Sequence, residues 1–321
     1  MRRAFDLLNS LADGVERSGE ELAKSLGVTR AAVWNQIRKL RQHGLSIVIG
    51  ANGGYLLQTP YEALDAREIT ASLRGKGVAD IKCSVESVVD STNERLLKGL
   101  TGGSLHGDAL CAEYQTLGRG RRGDKWVSPP GSGICLSLCW FFDTPPSTFS
   151  ALSLAVGIAI INTLEDLGAK GLKLKWPNDI MRGEKKIAGI LIEMRAESAG
   201  MCKTVIGMGI NFNLPDQAKD QIDRPVSDLG DQVNKRYTRN QVIGEILAGL
   251  SIDLERFGRL GFETFTDDWR RLDLLYGQEV RLELGDRDII GIATGVDSNG
   301  AIIIRNSSGV ERFLSGHLVV L

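Results

Sequence analysis

The sequence predicts an α+β chain in three parts: a winged helix-turn-helix over residues 1–60, a central mixed α/β domain over 66–271, and a small β-barrel over 272–321. Three observations carry this. A basic helix-turn-helix pattern with a hairpin behind it opens the chain, helical and strand-like runs alternate from Ala66, and short alternating strands spaced by glycine turns follow Leu272.

At 321 residues, 42% hydrophobic and 25% charged, the composition is that of a soluble globular protein of two or three domains. In "MRRAFDLLNSLADG", Asp6 and Asn9 interrupt the apolar run, which argues against a signal peptide. The longest apolar stretch, Ala151 to Leu164, falls short of the roughly 20 residues a bilayer span needs and reads as a buried helix. Five cysteines without C-x-x-C spacing indicate neither a disulfide framework nor a zinc ribbon, and three scattered histidines form no metal motif. A cytoplasmic protein without membrane attachment is expected.

In "SGEELAKSLGVTRAAVWNQIRKLRQHGL", Ser18 to Leu45, two helices meet at Gly27. Ser18 and Glu21 form a capping-box pattern, Thr29 can cap the second helix, and Ala32, Val33, Ile37 and Leu40 recur at helical spacing until Gly44. Thr29, Arg30, Asn35, Gln36, Arg38 and Lys39 are thereby placed to reach phosphates and base edges. The hairpin signal in "SIVIGANGGYLLQT" adds the wing. Residues 1–60 carry eight Lys/Arg against five Asp/Glu, a net +3 in a chain of net −1. A helical packing domain with solvated charges is the plain alternative to DNA binding; so modest a charge favours binding as a dimer. "QTPYEALDARE", with Pro60, loses periodicity and places a linker near residues 58–65.

In the central domain "AREITASLRG" reads as a helix, "CSVESVVD" as a strand, "STNERLLKGL" as a helix capped by Ser91 or Thr92, and "DALCAEYQ" as a strand. "GRGRRG", Gly118 to Gly123, then has the spacing of a dinucleotide-binding turn, but such a turn opens a helix, and "DKWVSPPGSG" forbids one. Arg119, Arg121, Arg122 and Lys125 against Asp124 make instead a cationic glycine loop suited to gripping phosphate oxygens. "LKLKWPNDIMRGEKKIAGILIEM", Leu172 to Met194, reads as strand, turn, strand, with Lys186 on the face of Ala188, Ile190 and Ile192. Lys186 is either a solvated strand end or a charge aimed into a site. "TVIGMGINFN" is a further buried strand, and the polar, aperiodic segment from Leu214 to Val233 reads as a mobile loop.

"DSTNERL", "AEYQTLGRGRRGDKWVSPPG", "KWPNDIMRGEKKIAGILIEM" and "GMGINFN", in this order behind a winged helix, resemble the bacterial bifunctional biotin protein ligase and biotin operon repressor family over nearly the whole chain. The resemblance implies a central domain of the class II synthetase and biotin ligase type and an SH3-like C-terminal barrel. It implies that biotin and ATP form biotinyl-5′-adenylate, whose acyl group passes to a lysine of biotin carboxyl carrier protein. By motif position Ser91, Thr92, Asn93 and Gln115 match the biotin pocket, with Arg119, Gly120, Arg121 and Lys186 around its reacting end. Arg119, Arg121, Arg122, Trp126, Asn178, Lys186 and Asn211 match the ATP and adenylate site, and Lys186, Arg119, Arg121 and Asp179 the catalytic set, Asp179 orienting the incoming lysine. Magnesium, Mg2+, is implied as phosphate-bound, with no protein metal motif. A homodimer carrying biotinyl-AMP, bound to operator DNA, is implied as the repressor. Two features depart from the family: no tryptophan lies between Trp176 and Trp269 to cover adenine, and the chain finishes "HLVVL", so that a basic residue near the end is replaced by His317, by Arg312 or by nothing. A ligand-sensing DNA-binding regulator without ligase activity and a ligase for a related acid such as lipoate are the competing readings.

Overall fold

The computed structural model describes residues 2–58, 61–100, 103, 105–143, 151–196, 202–220, 222–230, 233, 236–285 and 287–321. The N-terminal part follows its local signals. Helices α1 (Arg2–Ser10), α2 (Gly19–Leu26) and α3 (Arg30–Gln42) precede a hairpin of β1 (Ile47–Ile49) and β2 (Tyr55–Leu57). Ser18 Oγ accepts from Glu21 N at 3.1 Å while Ser18 N donates to the Glu21 carboxylate at 2.7 Å, so the capping box forms. Gly27, at φ +63, ends α2 in the left-handed region, and Thr29 caps α3. Val33, Ile37 and Leu40 are buried with Phe5, Leu8 and Leu22 in a core of their own. Of the expected linker, Pro60 lies outside the described residues. Tyr61 and Leu64, however, are buried, so the chain beyond it is packed against both parts.

The central seven-stranded sheet has the order β3 (Lys82–Glu86), β4 (Asp108–Ala112), β5 (Gly133–Phe142), β9 (Cys202–Asn211), β8 (Lys185–Ala196), β7 (Asp179–Arg182), β6 (Leu172–Lys175). Only β3 and β4 run parallel. The larger core joins inward residues such as Cys111, Leu136 and Ile206 to helices α4 (Ala66–Gly75), α6 (Leu152–Asp166) and α8 (Arg239–Leu260). On the opposite face α5 (Thr92–Gly99) seats Leu96 on Leu110, Cys139 and Val205. The site also lies on this face.

Three expectations change here. The run before "RGEK" is two strands, because the chain folds back at Trp176-Pro177-Asn178 and β6 pairs with β7; proline has no N–H with which to continue a ladder. Lys186 does not share a face with Ala188, Ile190 and Ile192. The β7–β8 register shifts between Ile180↔Ala188 and Met181↔Lys186, so Ile187 is an extra residue in a β-bulge. Lys186 consequently turns to the side of Gly189, where a Cβ would meet its Nζ at 3.1 Å. The polar stretch after Asn213 is pinned: after the short helix α7 (Asp216–Lys219), Lys186 N donates to Pro225 O, Ser227 N to Lys186 O and Leu229 N to Asn211 O, and Leu229 is fully buried. Its backbone, rather than an apolar pattern, does the binding.

Helix α9 (Thr266–Leu272) leads into an antiparallel sheet ordered β13 (Gly309–Phe313), β12 (Ile302–Asn306), β11 (Asp288–Val296), β10 (Glu279–Glu283), β14 (His317–Val320). At the junction Asp273 is 9% exposed, and burial pushes its carboxyl up to about 6. A raised acid pKa favours the folded state when protonated, so this group's contribution is lost as pH rises from about 4 through about 6. Asp273→Asn retains an acceptor for Leu275 N. Its stability relative to the parent chain, followed by urea unfolding at several pH values, is therefore expected to rise across that window. Among the described residues no helix is long and apolar enough to cross a membrane.

Candidate active site

A cavity of about 830 Å³ opens above β8 and β9, between the arginine-glycine loop, residues 222–226 and the C-terminal sheet. Glycines make its floor. A Cβ at Gly207 would strike the Asn93 carboxamide and one at Gly209 the Trp126 indole, so "GMG" on one strand is the sequence sign of a close approach. Trp126 lies over this bare sheet with its Nε1 buried and unpartnered.

At one end the N-terminus of α5 brings short polar side chains together. Gln115 Oε1 accepts from Thr92 N at 2.8 Å and from Thr92 Oγ1 at 3.1 Å; Ser91 caps the helix. Asn93 Nδ2 donates to Glu193 Oε2 at 2.9 Å, and Ser137 Oγ donates to Asn93 Oδ1 at 2.6 Å. Sequence reasoning missed Ser137, whose place on β5 gives no local signal.

The loop forms a tight knuckle. Arg119 bridges Lys125, Gly120 N donates to Asp124 O at 2.7 Å, and Arg121–Gly123 makes one 3-10 turn with Arg122 in the left-handed region at φ +55. The turn does not grow into an α-helix. The arginines diverge: Arg119 pairs with Glu94 and Glu193 at 3.2 and 3.3 Å, whereas Arg121 donates to Asn178 Oδ1 at 3.2 Å. Burial, then the nearby Arg122 charge, lowers the Arg121 pKa. Its charge would gain from an anionic partner. The Asp124–Arg224 ion pair, 2.7 Å, ties the loop to residues 222–226.

Opposite the loop, Lys186 Nζ stands 2.7 Å from Asp179 Oδ1, with the lysine side chain 14% exposed, and 5.9 Å from the centre of the Trp126 ring. Burial lowers the pKa of Lys175, at the end of β6. Asn178 Nδ2 donates to Ile190 O and Asn211 Nδ2 to Ser227 O, so both amides fasten backbone around the cavity. From the C-terminal sheet, His317 joins the cavity wall beside Glu283, 3.0 Å away; Arg312 turns instead toward Asp297 at 3.8 Å. The cavity thus brings together every residue expected in the biotin, ATP and catalytic sets.

The residues expected at DNA lie apart, on α3. Arg30, Asn35, Arg38 and Lys39 are exposed, and Thr29 is the cap. Gln36 differs: its Oε1 is buried without a partner. Trp34, 52% exposed with the Arg38 guanidinium 4.9 Å above it, shares the exposed face, a placement that the polar pattern of α3 does not signal.

The chain matches three family models: an HTH domain over residues 3–56, the biotin/lipoate A/B protein ligase family over 85–211 and the biotin protein ligase C terminal domain over 275–318. It is 36% identical to the bifunctional ligase/repressor BirA of Salmonella typhimurium over 312 residues, covering 97% of this chain and 95% of that protein. Its identity to the BirA of Escherichia coli is 35% over 316 residues, with the same coverage. The biotin protein ligase from Aquifex aeolicus in complex with biotin and ATP superposes with a TM-score of 0.62 at 31% identity, over 74% of this chain and 98% of that one. By sequence over nearly its full length and by fold, the chain belongs to the BirA family of bifunctional ligase/repressors.

Proposed function

We propose that this protein joins biotin to a lysine of biotin carboxyl carrier protein at the expense of ATP and, through its winged helix, represses biotin synthesis genes. The observation that carries the enzymatic half is the convergence of Lys186, Asp179 and Arg121 on one glycine-floored cavity. Thr92, Asn93 and Gln115 give its α5 end donors and acceptors suited to a ureido ring, and the Trp126-covered sheet supplies apolar surface.

The carboxylate of biotin attacks the α-phosphate of ATP, and pyrophosphate leaves; the amine of the acceptor lysine then attacks the acyl carbonyl and AMP leaves. Lys186 and Arg121 stabilise the charge gathering on the phosphoryl oxygens, a positioned group of this kind contributing about 3 kcal/mol. Asp179 holds Lys186 before substrate enters and afterwards orients the incoming lysine, which must be neutral to attack. Arg119, held by Glu94 and Glu193, exchanges those carboxylates for ligand as the loop closes. Mg2+ would arrive with the nucleotide, held by phosphate oxygens and water. Cytoplasmic location and a homodimer with biotinyl-AMP bound, placing two α3 helices on a palindrome, complete the reading.

Incubation with labelled biotin, ATP and a carrier domain tests it: ATP-dependent transfer of the label to the carrier is expected, and its absence would leave the ligand-sensing regulator. Preference for lipoate over biotin in pyrophosphate exchange would overturn the substrate. Gly209→Ala is expected to displace Trp126, raising the ATP KM about tenfold in the same exchange and costing about 1–3 kcal/mol in urea unfolding.

A further inference from the structure

The C-terminal sheet does more than cover the central domain. Its β11–β12 turn, Asp297–Ala301, reaches the hairpin that carries Asn178 and Asp179: Trp176, 2% exposed, donates its indole Nε1–H to Gly300 O at 3.0 Å. Gly300 is required twice. It sits at φ +73, and a Cβ there would lie 2.7 Å from Ala151 Cα and 2.8 Å from Ala151 Cβ. Ala151 is the N-cap residue of α6, whose Ser153 Oγ donates to Pro177 O at 2.9 Å. Below, Leu274 N donates to Leu174 O, so the approach to the C-terminal sheet pairs with the outer edge of β6. The fold-back at Trp176-Pro177-Asn178 is thus gripped along its strand, at its indole and at its proline carbonyl. Just beyond the proline, Asn178 and Asp179, which also bond and pair with Ile190 and Gly189 of β8, carry the two groups that meet Arg121 and Lys186.

We infer that the C-terminal module is a positioning element for adenylate formation, in which the Asp297–Ala301 turn holds Trp176 and so sets Asn178 against Arg121 and Asp179 against Lys186. The inference rests on the ligase reading above. Asp297 builds the turn without touching the cavity: its Oδ1 accepts from Asn299 N at 2.9 Å and Ala301 N at 3.0 Å. This separates the turn from the chemistry, because asparagine keeps that acceptor and alanine does not.

The test is biotin-dependent ATP–pyrophosphate exchange by the full chain, read as kcat and KM well below the melting temperature. Asp297→Ala and Trp176→Phe are each expected to lower kcat by roughly ten- to a hundredfold, the cost of small misplacements at a reacting centre, with the biotin KM within about twofold. Asp297→Asn is expected to stay within about twofold of the parent. The Asp297→Ala/Trp176→Phe double variant should fall little below the worse single one, since both act through one contact. Parental kcat in Asp297→Ala and Trp176→Phe, with only a lower melting temperature, would reduce the module to a cap. An Asp297→Asn variant as slow as Asp297→Ala would also overturn the inference. Absence of exchange in the parent chain would remove the ligase reading and this inference together; exchange with unmoved variants removes the inference alone.

Discussion

Lys186→Ala is expected to lower kcat for adenylate formation by about a thousandfold, the upper range for deleting one positioned charge stabiliser. The Lys186 side chain is 14% exposed, its ammonium held 2.7 Å from Asp179 and turned toward the cavity by the Ile187 bulge. It therefore acts in a partly desolvated space where Coulomb energy is several times its value in bulk water. Lys186→Arg keeps the charge but replaces a compact ammonium with a planar fork, so partial activity is expected. Both substitutions leave the N-terminal core of Phe5, Leu8, Val33 and Ile37 untouched, so binding of the apo chain to DNA should not change. Stopped-flow or pyrophosphate-exchange kinetics would measure the effect; a Lys186→Ala turnover within tenfold of the parent would remove the lysine from the chemistry.

What the sequence disclosed and what it hid divide by range. Ser18, Gly27, Thr29 and Ser91 announce their helix ends because a cap is a contract among neighbours three or four residues apart. "GRGRRG" is distinguishable from a dinucleotide turn for the same reason, since the prolines that deny it a helix follow within a few residues. Alternation puts Lys186 on the wrong face because it assumes an unbroken register, and the bulge that breaks it is set by pairing with β7. Polarity alone gives no sign that residues 225–229 of the 214–233 segment bond to Lys186 and Asn211, because those bonds run through backbone. His317 could be named as a replacement cation, but its place beside Glu283 in the cavity wall depends on how the C-terminal sheet docks.

Arg239→Met is expected to cause the largest loss of stability, about 3–5 kcal/mol, because it leaves a buried carboxylate without its counter-charge. Arg239 and Glu113 side chains are 2% and 5% exposed and meet at 2.8 Å; Arg239 also donates to Glu62 O and Gly133 O, while Leu64 N donates to Glu113 Oε1. One pair therefore fastens the segment after the winged helix, the end of β4 and the start of α8. The pair need not be a net gain over apolar residues of like size, since desolvation of both ions offsets their attraction. Glu113→Leu/Arg239→Met is accordingly expected to recover part of the loss in urea unfolding. The next two residues along the chain give the pair its functional reach. The Tyr114 ring stands edge-on to His43, the C-cap of α3, at 5.0 Å, and Gln115 receives the two Thr92 bonds at the α5 end of the cavity. Loosening Glu113 should therefore raise the biotin KM as well as lower stability. A single variant that unfolds at the parental urea midpoint, or one that is destabilised with the biotin KM unmoved, would break the corresponding half of this prediction.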